Sequence, residues 1–186
     1  GERVDYQRPG PVVGYDKHGQ TLTVYCGSGS YSITVLTPAV VRVRFAPASR
    51  GDGGDAPASY AVARPDDAWP PCDVDVQGTA SAVELRTEEL VCRVARASGQ
   101  VTFLDGKGAV INEDAGGMGW LPAGSYGLAA PVICEKRIQP GERFYGLGER
   151  TCGLDRRGRR FETWNTDPQT YELDQDPIYL CIPFLL

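Results

Sequence analysis

F-Y-G-L-G-E-R-T-C-G-L-D-R-R-G-R-R-F-E-T-W-N-T-D-P-Q-T-Y-E-L-D-Q-D-P-I-Y-L-C-I-P-F-L-L, from Phe144 to Leu186, is the stretch whose reading decides what kind of chain this is. Gly146 and Gly148 on either side of Leu147 predict a backbone that bends or meets another chain segment closely. Trp164 to Asp167 sets a large ring beside three hydrogen-bonding side chains, and Pro168 follows at once, which suits a loop that presents groups. Pro177 to Leu186 is almost wholly apolar, the pattern of a strand buried on both faces or covered by another domain. A segment of that kind is expected to lead into further chain.

Upstream, the pattern is period two. Thr21–Tyr25 and Tyr31–Leu36 alternate around a turn at Gly27–Ser30, which predicts a hairpin. Val41, Val43 and Phe45 share a face, with Arg42 and Arg44 on the other. Val74 and Val76, then Val83 and Leu85, then Leu90, Cys92 and Val94 alternate with polar residues across short turns at Gln77–Thr79 and Thr87–Glu88, the mark of an antiparallel meander. Val101–Asp105 is a further strand closed by an Asp105-Gly106 turn, Ala109–Asn112 pairs briefly, and Pro131–Ile138 resumes the strand pattern. A short strand is expected at Tyr60–Ala63. Gly1–Gly19, Ala48–Pro57, Arg64–Pro71 and the glycine-rich Glu113–Gly127 read as irregular or loop segments. There is no helical pattern, internal repeat or low-complexity tract, so the fold class is all-β: a two-sheet antiparallel β-sandwich.

At 186 residues and 41% hydrophobic, the chain buries a core as one domain, 1–186, with 144–186 leading onward. A net charge of -5 excludes nucleic acid and anionic membrane as natural partners, since phosphate binding needs a positive surface. The longest apolar run is far below the roughly 20 residues of a membrane helix. The first residues show no signal-peptide pattern. Six cysteines would allow three disulfides, but their spacing forms no framework, and with one histidine they form no zinc set. Free thiols in a cytoplasmic protein are the expectation.

Acid–base or nucleophilic catalysis by carboxylates takes two such groups at a fixed separation. Asp155, Glu162, Asp167, Glu172, Asp174 and Asp176 are spaced as loop charges, so no catalytic pair is assigned within the chain. Gly141 to Gly146 has the opening spacing of a P-loop, but Leu147 stands where lysine is needed. Arg156–Arg160 reads as a hairpin tip about Gly158 with its arginines splayed outward, in preference to a nucleic-acid patch on an acidic chain.

The order F-Y-G-L-G-E, R-R-G-R-R, W-N-T-D, Y-E-L and D-P-I-Y-L-C-I-P-F, preceded by V-V-R-V-R-F at Val40–Phe45, L-V-C-R-V at Leu90–Val94 and G-Q-V-T-F-L-D at Gly99–Asp105, resembles the N-terminal β-sandwich of family-31 glycoside hydrolases, the α-glucosidase and α-xylosidase group. The resemblance implies a galactose-mutarotase-like sandwich in an accessory role, beside a (β/α)8 barrel that carries both catalytic carboxylates. It implies retaining hydrolysis of terminal α-linked sugars, with an α-linked oligosaccharide or glycoside as substrate, the enzyme's own C-terminal barrel as partner, and no metal or cofactor. This fragment alone would be inactive.

In that family a sandwich loop reaches over the active site, and W-N-T-D sits in the matching place. Asp167 is therefore the main substrate-binding candidate, because a carboxylate accepts hydrogen bonds from vicinal hydroxyls; the other reading is that it caps a turn before Pro168. Trp164 either stacks on a sugar face or takes a core or interface role, and Asn165 either binds ligand or shapes the loop with Thr166. Glu149 is read as an ion-pair or loop anchor. Two other functions share the fold: a stand-alone carbohydrate-binding module, which wants aromatics in a row, and an aldose epimerase, whose histidine would have to be His18.

Overall fold

Alternating sequence becomes two facing antiparallel sheets in the computed structural model of the protein, which describes residues 5–48, 64–65, 68–122 and 131–186. The first sheet is a meander of β1 (Val12–His18), β2 (Thr21–Cys26), β3 (Gly29–Thr37) and β4 (Val40–Pro47), paired in that order. The second has β5 (Asp75–Gly78), β6 (Ala82–Arg86), β7 (Leu90–Ala95), β8 (Val101–Asp105), β9 (Val110–Trp120) and β10 (Val132–Lys136), each beside the next. Leu22, Val24, Tyr31, Ile33 and Val35 of the first sheet form one buried cluster with Val83, Leu85, Cys92, Val94 and Val101 of the second. Val41, Val43 and Phe45 pack against that cluster. Phe45 stacks between Tyr31 at 4.8 Å and Trp120 at 5.0 Å, so an aromatic row joins β3 and β4 to β9. This is the expected two-sheet sandwich.

Side chains set the turns. Thr79 Oγ1 accepts from the backbone N–H of Ala82 at 3.1 Å, and Thr87 Oγ1 from that of Leu90 at 3.1 Å, each closing a hairpin where a turn was expected. Asp105 Oδ1 accepts from the N–H groups of Lys107 and Ala109, both at 2.8 Å, which ends β8. Within the second sheet, Glu84 is buried between Arg86 and Arg93, 2.6 Å from Arg93 Nε.

Two expectations are corrected here. The lead-in read as irregular contains β1, which pairs with β2 from Val12↔Cys26 to His18↔Thr21. As an edge strand it leaves Val13 73% exposed, so it lacks the buried face that makes alternation visible. The glycine-rich segment read as loop forms most of β9 up to Trp120. Its glycines are there for clearance. A Cβ on Gly116 would lie 2.1 Å from Glu135 Oε2 and 3.1 Å from the Arg8 guanidinium, and Gly117, at φ +69°, sits where the β9–β10 register shifts between Gly117↔Glu135 and Asp114↔Lys136. The strand expected at Tyr60–Ala63, the body of the Ala48–Pro57 loop and the stretch Gly124–Gly127 fall outside the described residues. Among the described residues no helix is long and apolar enough to cross a membrane.

The chain divides into two compact units, Gly1–Arg137 and Ile138–Leu186, so the division falls a few residues before the F-Y-G-L-G motif. In the second unit β11 (Gly146–Gly148) pairs antiparallel with β12 (Cys181–Leu185). A Cβ on Gly146 (φ +111°) would stand 2.4 Å from the Phe184 carbonyl oxygen, and one on Gly148 (φ +79°) 2.4 Å from that of Leu180. Both the backbone angle and the space admit only glycine. The pairing runs on at both ends, through reciprocal Tyr145 and Leu186 hydrogen bonds of 3.0 and 2.9 Å and through Glu149 N–H to the Leu180 carbonyl at 2.8 Å.

Two outcomes follow from this packing. Burial pushes the thiols of Cys26 and Cys92 up to about 11 and about 12, and only the thiolate attacks, so at about pH 8 a thiol reagent is expected to leave both untouched in the folded protein. All six cysteines should react once the chain is denatured, whereas rapid labelling of Cys26 or Cys92 in the folded state would contradict the core described. Gly148→Ala is expected to break the β11–β12 register at a cost of at least ~2 kcal/mol. Hydrogen exchange at the Glu149 amide reads it directly: protection should fall by roughly 30-fold, and an unchanged rate would show that the strands tolerate a Cβ there.

Candidate functional site

With little regular ladder of its own, the second unit satisfies its backbone through arginines. Arg156, which the sequence reading placed at an exposed hairpin tip, is only 8% exposed. Its Nε donates to the Gly146 carbonyl at 3.1 Å and its Nη1 to that of Gly153 at 2.6 Å and to Cys152 Sγ at 3.1 Å. The expectation of splayed arginines is thereby corrected for Arg156, while Arg157, Arg159 and Arg160 are exposed: the carbonyls freed by the glycine turns need donors, and a guanidinium supplies several at once. Arg157 donates to the Gln139 carbonyl at 3.2 Å and to that of Glu142, and Arg159 pairs with Asp174 at 2.5 Å.

The side chain of Arg150 is likewise enclosed, 1% exposed. It donates from Nε to the Leu147 carbonyl at 3.1 Å and from Nη1 to that of Glu162 at 3.3 Å and to Asp176, and it lies over the Phe161 ring at 5.3 Å. Asp176 in turn accepts from the Glu162 N–H at 2.5 Å. Sequence reasoning gave the anchoring role to Glu149, but Glu149 contributes its backbone N–H, and the ion pair belongs to its neighbour Arg150. The missed signal is that an arginine two residues after a glycine-bent strand has open carbonyls within reach of its donors.

This scaffold carries the loop singled out in the sequence. The Thr166 N–H and Oγ1 donate to the carbonyls of Ile178 and Pro177, both at 3.1 Å, and Ile178 is fully buried. Asn165 Oδ1 accepts from the Cys181 N–H at 2.8 Å, and Cys181 Sγ donates to the Trp164 carbonyl at 2.9 Å. Just beyond, Tyr179 Oη donates to the Pro168 carbonyl at 2.5 Å, and the Tyr179 ring meets Tyr171 edge-on at 5.9 Å. Asn165 and Thr166 thus spend polar atoms on holding the loop to the β12 side. Trp164 is 67% exposed. Asp167 is exposed and makes no hydrogen bond or ion pair among the described residues, including the turn cap that was its other reading.

The arrangement can offer an aromatic face and a carboxylate with free acceptor oxygens. Among the described residues no group of histidine, cysteine, aspartate or glutamate is placed to hold a metal ion. A much larger cavity, about 460 Å³, lies in the first unit between Leu36–Pro38 and Pro70–Asp73. Among the described residues its lining includes no aromatic side chain, so size alone does not make it a sugar site. His18 closes the exposed edge strand β1, an unpromising place for epimerase chemistry.

Comparison with known proteins agrees with this architecture. The model of the glycosyl hydrolase 31 N-terminal galactose mutarotase-like domain matches residues 30–186. Alpha-glucosidase 2 of Bacillus thermoamyloliquefaciens is 26% identical over 164 residues, covering 87% of this chain and 19% of that protein. The solved structure of a GH31 dextranase from Flavobacterium johnsoniae, complexed with isomaltotriose, is 26% identical with a TM-score of 0.78, covering 97% of this chain and 21% of that one. A GH31 alpha-xylosidase from Xanthomonas citri shares the fold at 22% identity, with a TM-score of 0.66 over 91% of this chain and 17% of its own. The chain thus spans about a fifth of the length of these relatives. Matched over most of its length, it belongs to the glycosyl hydrolase 31 N-terminal galactose mutarotase-like domain family.

Proposed function

We propose that this chain is the accessory sandwich of a retaining α-glucosidase-like hydrolase acting on terminal α-linked sugars, and that Trp164–Asp167 is the loop it extends to substrate. The family match supports the setting, and the relatives named alpha-glucosidase 2 and dextranase support an α-linked oligosaccharide or glycoside as substrate. The catalytic pair of carboxylates belongs, in this reading, to a barrel that the sandwich braces. The unpaired thiols fit a reducing, cytoplasmic setting.

One observation carries the loop assignment. Asp167 stands exposed, with no partner among the described residues, on a loop whose neighbours are tied down at 2.8 to 3.1 Å. A carboxylate held at a fixed place but not consumed by the fold is suited to receive two sugar hydroxyls. Trp164 adds a ring large enough to lie along a pyranose face. Asn165 keeps its Nδ2 donors for the ligand while its Oδ1 remains on Cys181.

The test compares the full-length hydrolase with its Asp167→Ala variant on an aryl α-glucoside and a disaccharide. A loss of about tenfold in kcat/KM, roughly 1.4 kcal/mol of transition-state binding, is expected with thermal stability unchanged. Equal kinetics on both substrates would sink the loop's role and leave a structural brace. An intact enzyme inactive on every α-glycoside would remove the hydrolase reading itself.

A further inference from the structure

Three arginines and two aspartates line a small cavity in the second unit, and their charges do not balance. The cavity, about 50 Å³, is bounded by Arg150, Arg159, Arg160, Asp174, Asp176 and Thr151 among others. Arg150 is paired with Asp176 and Arg159 with Asp174. Arg160 makes no ion pair or hydrogen bond among the described residues, so the lining keeps one positive charge.

Arg150 points the same way independently. Its Nε and Nη1 are occupied, but Nη2 is buried and has no hydrogen-bond partner among the described residues. A guanidinium has only donors, so what completes it must be an acceptor, and the net positive charge of the lining, left by the exposed Arg160, favours an anionic one. A water needs about 10–15 Å³ of such space, which makes this cavity large enough for a few atoms and too small for a sugar. Asp174 and Asp176 in the same lining repel a multiply charged group, so phosphate and sulfate are poor fits.

We propose that this cavity is a binding site for a small monovalent anion, of the size of chloride or formate, held between Arg150 and Arg160. Bound there, the anion cross-links the segment that follows β11 to Asp174–Asp176, the two arms between which the Trp164–Asp167 loop is strung. The inference needs only the second unit's own geometry and stands whether or not the hydrolase reading does.

Chloride NMR line broadening of the intact protein reads the site, with ionic strength held constant by gluconate. Saturable excess broadening that formate displaces is expected. Arg160→Gln, at an exposed position whose removal leaves the fold's own contacts in place, should weaken it by about tenfold, the loss of one charge-assisted contact, while Lys17→Gln should not. Broadening that fails to saturate, or that is equal in wild type and Arg160→Gln, would mean that water alone fills the cavity and would overturn the proposal.

Discussion

The second unit depends on hydrogen bonds from guanidinium groups to backbone carbonyls. A chain that turns through three successive left-handed residues, Gly146, Leu147 and Gly148, cannot return all its carbonyl groups to a regular ladder. Leu147 is the telling member, since a branched side chain at φ +66° is disfavoured and is kept only where its surroundings insist. Arg150 takes the Leu147 carbonyl and Arg156 that of Gly146, so the strained turn is stabilised by the residues that follow it. Replacing these bonds by water would require opening the unit, because both guanidinium groups are buried.

That dependence explains why the sandwich was legible and the second unit was less so. Val83 and Leu85 against Glu84 and Arg86, or Cys92 and Val94 against Arg93, state their faces openly, because a strand face packed on the core takes an apolar residue at every second position, even where Glu84 on the other face is covered by Arg86 and Arg93. Edge strand β1 writes no such pattern with Val13 outside, and in β9 the glycines that resemble breakers exist so that Arg8 and Glu135 can approach. In Arg156–Arg160, position along the run decides everything: Arg156 is enclosed and Arg159 is exposed, yet both are the same letter. Only the carbonyls they meet, set by glycines ten residues earlier, tell them apart.

The loop shows the same limit at closer range. Tryptophan, asparagine, threonine and aspartate before a proline announce a presenting segment, and the structure does hold Trp164 and Asp167 outward. Its anchors are not adjacent in sequence. They are Pro177, Ile178 and Cys181, brought alongside by the β11–β12 pairing. Reading the loop as chemistry needed four letters, whereas reading it as geometry needed a strand beginning fourteen residues beyond its last one.

Within the loop the division of labour follows from what each side chain can afford to lose. Asn165 has both donors and an acceptor, so engaging Oδ1 with Cys181 leaves it a working end. Thr166 donates its one hydroxyl proton inward to Pro177, which ties the loop down but leaves little to offer outside. Asp167 has acceptors only, and inward donors of the unit such as Arg150 Nη1 and the Glu162 N–H are already taken up by Asp176, whereas Asp167 stays exposed. In the role proposed for this loop, a ligand bearing paired hydroxyls would meet an exposed carboxylate with no hydrogen bond among the described residues to break first.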